Sequence, residues 1–146
     1  MIRRIVVGVD GSPAAAAALR WAVRQAAATG ADVVEAVNAW ELSGSVLPPP
    51  VGVHDPQQVA ADVLHEAVVG EFGETPEVRV TELVPPGPAS AALLGRAAGA
   101  ELLVVGSRGL GGVGGLLLGS VSRHAVEHAP CPVVVVRAGH ADGTAG

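Results

Sequence analysis

Lysine is absent from this chain, and all nine of its basic residues are arginines. Neither a phosphate-clamping lysine nor a Schiff-base lysine is therefore available. Aromatic residues make up 2% of a sequence that is 49% hydrophobic, so the core must be built from Val, Leu, Ile and Ala. A single cysteine, Cys131, excludes an intramolecular disulfide framework. It lies between Pro130 and Pro132, where a small buried filler is expected and an intermolecular disulfide is the alternative. A surplus of positive charge is missing too, since the formal net charge is −5. That balance offers no general attraction to nucleic acid or to an anionic membrane surface. No run approaches the roughly 18 apolar residues that a membrane span requires. The strand-like segment after Met1-Ile2-Arg3-Arg4 meets Asp10 too soon for the apolar centre of a signal peptide. A cytoplasmic protein is expected. With 146 residues, the chain suits one domain with a substantial core.

What is present is a regular alternation of elements. Residues 5–9 are an Ile/Val run of the kind found in strands buried on both faces. Asp10-Gly11-Ser12-Pro13 stops that run, with Ser12 suited to a helix N-cap and Pro13 to the first helical position. Leu19, Ala22, Val23 and Ala26 mark one face of a helix ending near Gly30. Residues 32–39 read as a second strand. The Gly- and Pro-rich segment 43–54 reads as a loop, and Ala60, Val63, Leu64, Ala67 and Val68 as the core-facing stripe of a second helix. A third strand, 77–84, stops at Pro85-Pro86-Gly87-Pro88 before a helix carrying Leu93, Leu94, Ala97 and Ala98. Residues 102–105 form a fourth strand, 119–129 a short helix ended by Pro130, and 132–137 a fifth strand. Residues 138–146 read as a frayed tail. This order predicts an α/β fold, an open doubly wound parallel sheet of five strands with four helices on two faces. Its crossovers are right-handed. Such sheets bind ligands beyond the carboxyl ends of the strands, where the strand order reverses. If strand 1 is central and strand 4 lies beside it, Asp10 and the loop starting at Gly106 border that crevice. No internal repeat or second domain is visible.

The most informative stretch is Gly106-Ser107-Arg108-Gly109-Leu110-Gly111-Gly112-Val113-Gly114-Gly115-Leu116-Leu117-Leu118-Gly119-Ser120. Glycine lets the main chain approach a ligand closely, and a helix N-terminus offers N–H groups and partial positive charge. Together they make an anion cradle, best suited to phosphate. Gly109, Gly111 and Gly114 spell Gly-x-Gly-x-x-Gly, but a dinucleotide fingerprint follows the first strand, and this one follows the fourth. The Gly-Lys-Ser/Thr of a P-loop is absent. What remains is Gly106-x2-Gly109-x9-Gly119-Ser120. Gly106 and Gly109 turn the chain away from its strand, while Gly119 and Ser120 present N–H groups and a hydroxyl. A flexible linker is the alternative, although long irregular loops in compact domains usually serve a function.

Asp10 can accept hydrogen bonds from a ribose hydroxyl or an adenine amine, help hold a metal, or simply form the turn. Arg108 can pair with phosphate or face solvent. Ser120 is expected to cap the last helix and to contact phosphate as well. His124 and His128 stand four apart, as two metal ligands on a helix would, but no third ligand is near in sequence. Trp40 follows the second strand and is placed either near a bound base or beneath the Pro-rich loop. Segment 43–54, at the ligand end of the sheet, is a candidate lid. No Gly-x-Ser-x-Gly elbow is present, and no base for rapid hydrolysis is visible.

These features resemble the universal stress protein family, in its ATP-binding type. The resemblance rests on the Gly106-x2-Gly109-x9-Gly119-Ser120 spacing and on Ile5-Val6-Val7-Gly8-Val9-Asp10-Gly11-Ser12 at the start. It rests also on Ala100-Glu101-Leu102-Leu103-Val104-Val105, Gly119-Ser120-Val121-Ser122, and the ending Ala129-Pro130-Cys131-Pro132-Val133-Val134-Val135-Val136. It covers residues 2–137 and implies one nucleotide-binding domain over 1–137, with the sheet order 3-2-1-4-5. It further implies that Asp10 faces an adenine nucleotide, that Val9 and Ala39 flank its base or ribose, and that Gly106 and Gly109 line its ribose and phosphate path. Gly119, Ser120 and Val121 would hold phosphates, with Ser122 adding a hydroxyl. The implied activity is stress-response regulation through ATP, alone or with Mg²⁺, with little or slow hydrolysis and with a homodimer formed through Val133–Val136. Two other functions compete with it: a scaffold of the same fold with an empty pocket, and a nucleotidyl- or phosphoryl-transfer enzyme. The missing lysine and base disfavour the enzyme.

Overall fold

The structure, a computed structural model, describes residues 1–41, 55–109 and 118–139. The candidate lid 43–54, the middle of the glycine loop and the end of the tail lie outside the described residues. Among the described residues nine elements alternate: β1 Arg4–Gly8, α1 Pro13–Thr29, β2 Val33–Val37, α2 Pro56–Phe72, β3 Val80–Leu83, α3 Ala89–Ala97, β4 Leu102–Gly106, α4 Ser120–His128 and β5 Val133–Val136. The strands pair in parallel in the order β3-β2-β1-β4-β5, as the resemblance implied. The order reverses between β1 and β4, whose register runs from Ile5 opposite Leu102 to Val7 opposite Val104.

Side-chain alternation divides the core into two layers. Ile5, Val7, Val34, Ala36 and Val104 point to one face, where they meet α1 and also Leu64 and Val68 of α2. Val6, Val37, Leu103 and Val105 point to the other, against Leu93 and Ala97 of α3 and Ala125 of α4. Strands buried on both faces need apolar residues at odd and even positions alike, which is why β1 and β4 read as unbroken runs. β2, β3 and β5 are shorter than expected, most clearly β3, because pairing stops where a neighbour stops, whereas β4 extends one residue further, to Gly106. β3 pairs with β2 from Val80 to Leu83 and, among the described residues, with no strand on its other side.

Local chemistry sets where the helices begin. Ser12 Oγ accepts the Ala15 N–H at 3.2 Å, and Pro13 takes the first position of α1, as expected from Ser12-Pro13. The tight turn before it needs Gly11, whose φ is +89°. At the opposite end of the sheet, the Arg4 guanidinium donates to the carbonyls of Arg96 and Ala98 and so caps the C-terminal end of α3. Arg4 and Arg96 also both pair with Glu35, Arg96 at 2.6 Å, which accounts for a carboxylate buried in β2. This anchors the far end of α3, leaving its first turn at the ligand end of the sheet. Cys131 is half-buried against the second core layer; burial pushes its thiol pKa up, and nearby Arg4 opposes the rise.

Candidate functional site

A cavity of about 340 Å³ opens at the carboxyl ends of β1, β2 and β4, at the point where the strand order reverses. Five separate stretches of chain line it among the described residues, and four of them carry the positions expected from the sequence. From the ends of β1 and β2 come Val9, Asp10 and Ala39. From the exit of β4 come Gly106, Arg108 and Gly109, and from the start of α4 come Gly119, Ser120, Val121 and Ser122. The fold thus brings together all ten positions singled out in the sequence.

Their roles differ in detail from the expectation. Val9 is 2% exposed and packs into the first core layer, so what it offers the cavity is its main chain. Its N–H donates to Val37 O at 2.8 Å, which extends the ladder just past β1. Asp10 Oδ1 accepts the Ser12 N–H at 2.9 Å, so the carboxylate is a turn-former. It also faces the cavity, because its other oxygen, Oδ2, lies only 2.6 Å from where a Cβ on Gly109 would stand. Asp10 therefore forms the turn and also borders the cavity.

Gly106 borders the cavity, yet its tightest constraint lies behind it. A Cβ there would lie 2.8 Å from both the carbonyl carbon and Cβ of Ala14, and 2.9 Å from the Ala15 nitrogen. The absence of a side chain lets β4 run against the first turn of α1. Gly119 is less constrained, since a Cβ there would meet nothing nearer than Arg108 Cα at 3.4 Å.

The expectation that Ser120 caps α4 is corrected. Gly119 is the N-cap, with φ −72° and ψ 171°, and it makes no side-chain capping bond. The first intrahelical bond runs from the Arg123 N–H to Gly119 O at 3.0 Å. Ser120 is therefore the first helical residue, and its exposed hydroxyl is not spent on capping. The Gly119 N–H donates to Ser107 O at 2.7 Å. Ser122, 3% exposed, directs its hydroxyl at Ser107 O (3.1 Å) and Gly119 O (3.0 Å). A hydroxyl has one proton to donate, and two carbonyls compete for this one. Gly119 and Ser122 thus tie the start of α4 to the exit of β4. The groups left to meet an anion there are the N–H groups of Ser120, Val121 and Ser122, which precede the first helical bond, and the Ser120 hydroxyl.

Several lining residues escaped the sequence reading. Ala89 and Leu93 of α3 form an apolar wall facing Val37 of β2. Gly8 makes room for that wall, because a Cβ on it would stand 3.0 Å from Leu93 Cδ1. Glycine inside an apolar strand run is a sign of close approach, and that signal was available at Gly8. Nothing local to α3 marks its two residues as lining a site.

Trp40 is not among the residues lining the cavity. Its indole N–H donates to Val84 O at 3.0 Å, its main-chain N–H to Pro85 O at 3.1 Å, and its carbonyl accepts the Gly87 N–H at 2.7 Å. It therefore straps the end of β2 to the β3–α3 connection. The His124 and His128 rings stand 4.5 Å apart. Among the described residues no group of three or more His, Cys, Asp or Glu side chains could hold a metal ion. Among those residues, too, no helix is long and apolar enough to cross a membrane.

Comparison with known proteins points one way. The profile of the universal stress protein family matches residues 1–137. A universal stress protein of Mycolicibacterium smegmatis is 37% identical over 135 residues, covering 91% of this chain and 45% of that relative. One of Mycobacterium tuberculosis is 38% identical over 136 residues, covering 91% and 44%. The chain thus spans less than half the length of the curated relatives it matches. Among solved structures, a universal stress protein in complex with cAMP is 27% identical, with 94% and 98% of the two chains covered and a TM-score of 0.61. UspA of Lactobacillus plantarum, at 23% identity and a TM-score of 0.70 over 93% and 98% of the chains, shares the fold.

Proposed function

The chain belongs to the universal stress protein family, and from that premise we propose that it is a cytoplasmic stress-response regulator that binds an adenine nucleotide, ATP, in the cleft between β1 and β4. The observation carrying this reading is the division of the cleft into two unlike halves. One half, bounded by Val37, Ala39, Ala89 and Leu93, is apolar and suits a purine face. The other, at the start of α4, offers consecutive main-chain N–H groups and the Ser120 hydroxyl. Asp10 borders the same cleft, and its carboxylate would accept a hydrogen bond from a ribose hydroxyl or an exocyclic amine. Phosphate at a helix N-terminus gains charge-assisted hydrogen bonds and the favourable end of the helix dipole. A similar protein solved with cAMP supports an adenine nucleotide as the ligand class. Because the chain has no lysine and the described lining residues include no histidine, the role proposed is binding with slow or no turnover.

Isothermal titration of the chain with ATP, ADP, AMP and cyclic AMP tests this reading. Saturable one-to-one binding of at least one of them is expected. Failure of all four would replace the reading with that of a scaffold carrying a vestigial pocket.

The same proposal includes a homodimer. β5 pairs with β4 on one side, and among the described residues no strand lies on its other side. A run of four valines at a sheet edge calls for cover, and a second copy related by a two-fold axis would supply it. Sedimentation velocity at micromolar concentration is expected to give the dimer mass. A monomer at that concentration removes the dimer from the reading.

A further inference from the structure

His124 and His128 stand four residues apart on α4, and so on one face of the helix. Their ring centroids are 4.5 Å apart, with the planes inclined by 48°. Neither residue lines the cleft. The His128 side chain is more than half exposed, and the Glu127 carboxylate stands 3.7 Å from its Nε2. The spacing of the rings can be compared with what chelation requires. A ligating ring nitrogen lies about 1.1 Å from the imidazole centroid, and with a metal–nitrogen bond of about 2.1 Å the centroid stands about 3.2 Å from the ion. Two rings at adjacent corners of a square or octahedron, about 90° apart, then have centroids about 4.5 Å apart, whereas a tetrahedral angle spreads them to about 5.2 Å. The separation on α4 matches the first arrangement. Nitrogen and oxygen ligands in such tetragonal geometry belong to Cu²⁺ and Ni²⁺.

We propose that His124 and His128 form a chelating site for a divalent transition ion of the Ni²⁺ and Cu²⁺ class, with water at its remaining positions. Two protein ligands fall short of the three or four found in catalytic and structural zinc sites. Among the described residues no third His, Cys, Asp or Glu completes the set. The site is therefore an exchangeable one on the surface. Glu127 adds negative charge beside His128, which favours a cation there. The helix gains from the link. α4 has nine residues, no side-chain cap at its start, and Ala129 in an extended conformation at its end, and short helices are marginal without support. An ion joining two successive turns steadies this helix, whose first residues border the cleft.

The test is calorimetric titration of the full chain, carrying no histidine tag, with Ni²⁺ near neutral pH. Ni²⁺ is the probe because Cu²⁺ would oxidise the Cys131 thiol. A binding phase of one ion per chain is expected, unaffected by Mg²⁺ in about hundred-fold excess, because imidazole ligands suit Ni²⁺ and oxygen ligands suit Mg²⁺. His124→Ala and His128→Ala are each expected to weaken that phase by at least about ten-fold. The double variant is expected to lose no more than about three-fold beyond either, because either substitution alone already removes the chelate. His65→Ala, which alters a histidine on α2, is expected to change affinity by less than about two-fold. Saturating Ni²⁺ is expected to raise the melting temperature of the parent by about 4 °C or more, and that rise is expected to disappear in each single α4 variant. Alanine is the best helix former, so these variants are expected to retain the far-ultraviolet dichroism of the parent. Affinity within about three-fold of the parent in either single α4 variant overturns the site. An equal loss in His65→Ala overturns it too, as does a melting temperature that Ni²⁺ leaves unmoved.

Discussion

Gly109→Val is expected to weaken adenine-nucleotide binding by at least about thirty-fold while leaving the fold intact. Gly109 is exposed at the mouth of the cleft, and a Cβ there would stand 2.6 Å from Asp10 Oδ2. That carboxylate cannot simply swing away, because its other oxygen holds the Ser12 N–H that forms the turn into α1. A branched side chain at position 109 must therefore displace Asp10 or itself occupy the space between Asp10 and the start of α4. Either outcome removes contacts intended for the ligand. A thirty-fold loss corresponds to about 2 kcal/mol, the scale of one or two charge-assisted hydrogen bonds. The atom met is the end of a side chain and not main chain, so its displacement is expected to cost about 1 kcal/mol and the melting temperature to fall by only a few degrees. Calorimetry and thermal denaturation on the same preparation check both halves. An affinity within three-fold of the parent would show that the ligand does not use this side of the cleft.

Gly106→Val, three residues earlier in the same motif, is expected to do the reverse and cost about 3 kcal/mol of stability. The atoms its Cβ would strike are main chain and Cβ of Ala14 and main chain of Ala15, at 2.8–2.9 Å. Those atoms belong to the first turn of α1, held by the Ser12 cap and packed with Ala14 and Ala15 nearly fully buried. There is no flexible side-chain end to give way, so the helix or the strand has to shift. Overpacking of a well-filled core costs roughly 1–3 kcal/mol, and a clash with backbone belongs at the upper end. For a domain of this size that amounts to a fall of roughly 10 °C in melting temperature. Urea unfolding of Gly106→Val, with Gly106→Ala as the milder companion, measures it. A loss below 1 kcal/mol in the valine variant would mean that α1 can retreat from β4 at little cost. Two glycines of one motif thus sit in different surroundings, Gly109 against the Asp10 carboxylate at the cleft and Gly106 against the first turn of α1.

The same contrast shows how much of the site was legible beforehand. The turn residues Asp10 to Pro13 announced both a strand end and a helix start, because their preferences are local and strong. The glycine spacing marked the chain that borders the cleft, since glycine at those positions points to close main-chain approach. The motif could not say which N–H groups remain for a ligand. Ser107 O, 12 residues before Gly119, takes the Gly119 N–H and attracts the Ser122 hydroxyl. Spacing alone could not assign those bonds, and so it made Ser120 a cap when the helix already had one. The apolar wall of α3 was invisible for a related reason. Ala89 and Leu93 show helical periodicity, and periodicity reports that a face is buried without saying against what.

By itself, the sequence determined the order and type of the elements among the described residues, the burial of the central strands on both faces, and the end of the sheet at which the cleft opens. These follow from patterns within a few residues, where backbone sterics and the alternation of apolar side chains act directly. Only the tertiary structure decided that Gly8 yields to Leu93, that Gly106 yields to α1, that Gly119 spends its N–H on Ser107, and that Trp40 straps β2 to the β3–α3 connection instead of facing the cleft. Each of those outcomes is a contact between segments distant along the chain, set by strand register and helix placement.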